Sequence, residues 1–102
     1  MRLFPIAVAL AGVAIAGSAM AAGRATDVDY LNAARCRGIA GALSADTSAL
    51  DAFLKSQGRT RIDYILQKAD DEQRRGARDA KSPGKSAAAT AELSGPCQAF
   101  RN

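Results

Sequence analysis

Cys36 and Cys97 are the only two cysteines in this chain of 102 residues, and they stand far apart. If they join, one bond closes a loop that holds more than half of the sequence. Whether they join depends on the compartment, and the first residues bear on that. Met1 and Arg2 open the chain with a positive charge, and Leu3 to Ala16 is uncharged and apolar. Ala19-Met20-Ala21 then has the small-x-small pattern that signal peptidase accepts. We read residues 1–21 as a bacterial secretory signal peptide cut after Ala21, with Ala22 and Gly23 the next choices. The alternative is an uncleaved anchor, because about 20 apolar residues just span a bilayer. Pro5, the Ala and Gly content and the cleavage pattern favour removal. No cysteine stands at the cleavage site, so a lipid anchor is not expected. The expected location is the periplasm, with secretion as the alternative, and thiols pair in both. Two cysteines allow one intramolecular pairing, so the expectation is a structural disulfide, Cys36–Cys97.

The remaining composition makes such a staple necessary. Removal of the leader leaves 81 residues, a length for a single small domain over 22–102. These hold fourteen large apolar residues: Val28, Tyr30, Leu31, Ile39, Leu43, Leu50, Phe53, Leu54, Ile62, Tyr64, Ile65, Leu66, Leu93 and Phe100. Burying each is worth about 1.5–3 kcal/mol, which does not cover the ordering entropy of a chain this long. Closing a loop of about 60 residues adds about 4 kcal/mol by chain-entropy arithmetic.

No stretch alternates as a strand does, and helix formers dominate. The expected fold is an all-α bundle of three to four helices. Thr26 and Asp29 have capping-box spacing for a first helix from Asp27. Its apolar face holds Val28, Leu31, Cys36, Ile39, Ala42 and Leu43, with Asn32 and Arg35 at the rim. Ala34, Gly38 and Gly41 form a second line, small enough to admit another helix. Ser44 to Thr47 reads as a turn. A second helix starts at Ser48, with Asp51 as its capping acid and Thr47 nearly as good a cap. It carries Leu50, Phe53 and Leu54 inward and ends with Gly58 as its C′ residue. Thr60 with Asp63 predicts a box for a third helix, whose core face is Ile62, Ile65, Leu66 and Ala69. From Lys68 to Lys81 that helix becomes almost wholly charged and reads as a solvated extension, fraying near Gly76. Asp70–Arg74 and Asp71–Arg75 have the i,i+4 spacing of ion pairs. Residues 82–86 form a connector, Ala87 to Leu93 a fourth helix, and Pro96 opens a last turn bearing Cys97 and Phe100.

Little in the chain looks catalytic. The absence of histidine excludes Ser-His-Asp and Cys-His mechanisms and the common zinc sites. Gly84-Lys85-Ser86 imitates the end of a phosphate-binding loop, but Asp79 stands where that motif needs its first glycine. Asp70, Asp71 and Glu72 read as a solvated ion-pair face. We expect no catalytic residues, no cofactor and no metal. The most functional-looking feature is a basic cluster, Arg74, Arg75, Arg78, Lys81 and Lys85, interrupted only by Asp79. Such a flank suits an acidic protein partner or an anionic lipid or glycan surface. Nucleic acid is not expected, because no aromatic residues interleave the cations. The leading expectation is an exported, non-catalytic helical interaction protein whose partner is another envelope or secreted protein. The alternatives are direct binding to the anionic envelope and, third, hydrolysis of an envelope polymer through its carboxylates.

Overall fold

The computed structural model describes residues 25–101, and the expected leader and cleavage site lie outside them. Among the described residues there are five helices and no strand: α1 Asp27–Ala42, α2 Ser48–Gly58, α3 Asp63–Lys81, α4 Ser86–Ser94 and the single turn α5 Gln98–Arg101. The all-α expectation holds, and so does the staple. Cys36 and Cys97 form a disulfide across 61 residues of sequence, with both side chains buried. None of the described helices is long and apolar enough to cross a membrane.

α1 starts where its cap residues dictate. The Thr26 hydroxyl accepts from the Asp29 amide, and the Asp29 carboxylate accepts from the Thr26 amide. At its other end, Ser44 takes a positive φ of 59°. Its amide reaches the Gly41 carbonyl while the Ala45 amide reaches that of Ala40, a Schellman termination.

The other helix starts depart from the box expectations. α2 begins after Thr47, whose hydroxyl donates to the Asp51 carboxylate instead of capping an amide. The Ser48 amide is satisfied by the Asp46 carboxylate. α3 is capped by Ile62, not Thr60, and no side chain bonds its first turn. The reason lies at Arg61, whose guanidinium is held by Asp27, by the Ala25 carbonyl and by Gln57, so residue 61 stays outside the helix. Gly58 is the last residue of α2 and not a left-handed cap; a Cβ there would lie 2.9 Å from the Tyr30 hydroxyl.

α1 is the central helix. Tyr30, Ala33, Ala34, Cys36, Gly38, Ile39 and Ala40 are buried, more than one face of a helix. Its broadest contact is with α3, which runs in the same direction. This contact is built on missing side chains. A Cβ at Gly38 would stand 1.9 Å from the Gln73 carbonyl oxygen, and one at Gly76 would stand 2.4 Å from that of Arg35. The backbones therefore touch, as small-residue faces permit. Ala69, Gly76 and Ala80 of α3 are buried along this seam, so the helix packs to its end. The expected solvated extension frayed at Gly76 is thus corrected. Gly38 admits the neighbouring helix as expected, whereas Gly41 is exposed and faces only the flexible Arg37 tip.

α2, α4 and α5 close the other sides. Ile39, Leu50 and Cys97 are fully buried at the centre, with Ala80, Ala89, Leu93 and Phe100 around them. The rings of Phe53 and Phe100 meet at 5.2 Å. Three residues of the expected core faces are instead exposed, Val28 at 64%, Ile62 at 68% and Leu43 at the α1 cap, and Tyr64 is exposed as well. Val28 stands 200° around the helix from Tyr30, so only one of them faces inward, and the larger ring does. Ile62 is a cap with extended backbone and falls outside the helical period.

Replacement of Gly38 by Ala is expected to cost about 3 kcal/mol or more, because backbone must move. Replacement of Gly41 by Ala is expected to add about 0.5–1 kcal/mol through helix propensity. Urea unfolding of the two variants checks the seam, and equal effects would contradict it.

Candidate functional site

The charged side chains sort into an inner set that ties helices together and an outer set on α3. Arg35 is the centre of the inner set. Its Nε and Nη2 donate to Glu92 of α4 at 2.8 and 2.9 Å, a two-point fork, and its Nη1 donates to Asp79 of α3 at 3.0 Å. One guanidinium thus joins three helices, next in sequence to the disulfide. Arg35 and Asp79 are mostly shielded, with side chains 21% and 16% exposed. Hydrogen bonding from Arg35 holds the Glu92 and Asp79 carboxyls below their usual range, and the Glu92 fork in turn raises Arg35. The expectation that Arg35 sits at the rim of an apolar face is refined: it turns into a polar seam.

A second arginine does similar work at the opposite end. Arg61 joins Asp27 at 2.7 Å and lies over the Tyr30 ring, 5.4 Å from its centroid. Neither arginine was marked by a sequence motif. Arg35 offered one signal, a cation amid small apolar residues, which needs an acid from elsewhere in the chain.

The outer set contains the basic cluster. Arg74, Arg75, Arg78, Lys81 and Lys85 are all exposed. Around α3, Arg74, Arg78 and Lys81 lie within 60° of one another and opposite the face buried on α1. The expected i,i+4 pairs do not form. Asp71 meets Arg74 and Glu72 meets Arg75, each at i,i+3, the other spacing that brings helical side chains together. Asp79 is the one acid within the run, and it is turned inward to Arg35; Lys85 approaches it at only 3.7 Å. Arg78 and Lys81 join no ion pair among the described residues. Beside Arg74, an open hollow of about 550 Å³ runs between α1 and α3, lined by Arg37, Gly41 and Ala42 of α1 and by Asp70, Gln73 and Ala77 of α3.

Among the described residues no group of His, Cys, Asp or Glu could hold a metal ion. The hydroxyls nearest carboxylates are those of Thr47 and Ser48. Their partners are poor bases: the Ser48 amide holds Asp46 below the usual carboxylate range, and Arg37 does the same to Asp51. Set against known protein families, curated proteins and solved structures, the chain matches none.

The Arg35 seam sets an acid limb. Because the folded carboxyls of Asp79 and Glu92 bind protons less readily than the unfolded ones, their contribution is complete above about pH 5 and is lost as pH falls below about 4. Arg35→Leu is expected to cost about 1–3 kcal/mol at pH 7. Its difference from the parent should shrink at pH 3, while the Asp46 and Asp51 contributions remain in both. Urea titrations at the two pH values check this, and an equal difference at both would contradict it.

Proposed function

We propose that the chain is an exported, non-catalytic helical protein of the periplasm or the extracellular space, which acts by contact with an acidic surface of another envelope or secreted protein. The outer flank Arg74, Arg75, Arg78, Lys81 and Lys85 carries the contact. The observation that supports it is the orientation of Asp79: drawn inward by Arg35, it leaves the outward stripe of the last two turns of α3 without an acid of its own. A set of cations held on a rigid, packed helix presents its charges at fixed spacing, which favours recognition as well as encounter rate.

Two features favour a protein over a lipid or glycan layer. Asp71 and Glu72 are interleaved with Arg74 and Arg75, a pattern of signs that a complementary surface reads and a uniform anionic layer does not. The hollow beside Arg74 also has room for a protruding partner residue, which a flat headgroup plane cannot supply. The depressed carboxyls of Asp46 and Asp51 and the lack of histidine support the non-catalytic part of the reading.

The triple variant Arg74→Glu, Arg75→Glu and Arg78→Glu tests it. Its melting temperature should stay within a few degrees of the parent, since these side chains are exposed. A partner captured stoichiometrically from periplasmic extract by the parent should be lost by the variant, and capture by the parent should weaken with salt. Undiminished recovery by the variant would reject the flank. Co-sedimentation of the parent with anionic vesicles at low salt, without a protein partner, would replace this reading by the envelope surface itself.

A further inference from the structure

On the other side of the α1–α3 seam lies a second hollow of about 300 Å³. The geometry points to a binding site there for a small monocationic amine with an apolar body. The apolar half of its lining is mostly shielded: Tyr30 and Ala34 come from α1, Leu54 from α2, and Leu66 and Ala69 from α3. Three helices thus converge on one concavity, the usual setting of a small-ligand site in a helical domain. Its volume lies at the small end of the range for such sites, so it suits a ligand of about ten non-hydrogen atoms.

The polar groups at the rim define the charge of that ligand. Gln67 and Gln73 offer amides, and Asp70 offers a carboxylate. Asp70 is exposed and joins no ion pair among the described residues; Arg74, which the helical spacing offers it, is bonded to Asp71. Among the described residues no arginine or lysine lines the hollow. An ammonium at the rim gains a charge-assisted hydrogen bond to Asp70, and the Gln67 and Gln73 carbonyl oxygens accept its remaining protons. The organic body then covers the Leu54, Leu66 and Tyr30 surfaces. An anionic ligand meets the Asp70 charge instead and is rejected. Asp70 and Gln73 also line the hollow beside Arg74, but the apolar wall of Tyr30, Ala34, Leu54, Leu66 and Ala69 belongs to this hollow and not to that one.

The test is a titration of the intact, oxidised protein, followed by amide chemical shifts, with 2-phenylethylamine, with its uncharged counterpart 2-phenylethanol and with phenylacetate. For the amine we expect saturable shifts centred on Ala34, Leu66, Ala69 and Asp70, with a dissociation constant in the millimolar range normal for so small a ligand. The alcohol should bind at least tenfold more weakly and phenylacetate not at all. Asp70→Asn should melt like the parent, since it breaks no ion pair, and should bring amine and alcohol to equal affinity. Three results would overturn the proposal. The first is equal binding of amine and alcohol by the parent. The second is amine shifts centred elsewhere, such as on Asp27 or Asp63. The third is an undiminished preference for the amine in Asp70→Asn.

Discussion

After Cys36 the chain completes α1 and makes α2, α3 and α4 before the disulfide returns it to the middle of α1. The rest of the fold depends on that return. Among the described residues only three side chains are fully buried and larger than alanine or glycine, namely Ile39, Leu50 and Cys97, and one of these is a member of the bridge. A core of alanines stabilises through close contact more than through transferred area, and such contacts are sensitive to any loosening. A covalent closure over 61 residues reduces the entropy of the unfolded chain in a way this core does not.

The two contacts flanking the bridge divide the remaining work. On one side, Gly38 and Gly76 bring the α1 and α3 backbones together, so the seam has no side-chain layer to slip. On the other, Arg35, next in sequence to Cys36, ties α3 and α4 to α1 by directional bonds. The same bond that fixes Asp79 also removes it from the outer surface. Fold stability and surface charge are therefore coupled: the cationic character of the α3 flank follows from an internal ion pair. A change at Arg35 would release Asp79 toward Arg78, Lys81 and Lys85 and alter the flank without touching it.

Several parts of this arrangement were legible in the residues. Thr26 and Asp29 predicted the start of α1 because a capping box is local, and local chemistry needs no tertiary information. The disulfide was legible because two cysteines leave one pairing. The helix content followed from the lack of alternation. The core faces were less legible. A periodic stripe tells which residues share a face, but not how many faces a neighbour covers; α1 is enclosed on several sides, and its buried set includes alanines that no apolar period marks. Thr60 failed as a cap because a long-range tether at Arg61 outcompeted a local bond worth about 1 kcal/mol. The charged run of α3 reads as solvated because Gly76 and Ala80 carry no hydrophobic signal, yet they are small enough to pack where a leucine would not. The flank residues were found from charge density alone; that Asp79 faces away from them depended on Arg35, 44 positions earlier.

The most direct test of this account compares urea unfolding of the protein with its Cys36–Cys97 bond intact and after reduction. The intact form is expected to be more stable by about 4 kcal/mol at 25 °C, with no thiol titratable in the native protein. Two reactive thiols in the native protein, or the same unfolding midpoint with and without reductant, would contradict it.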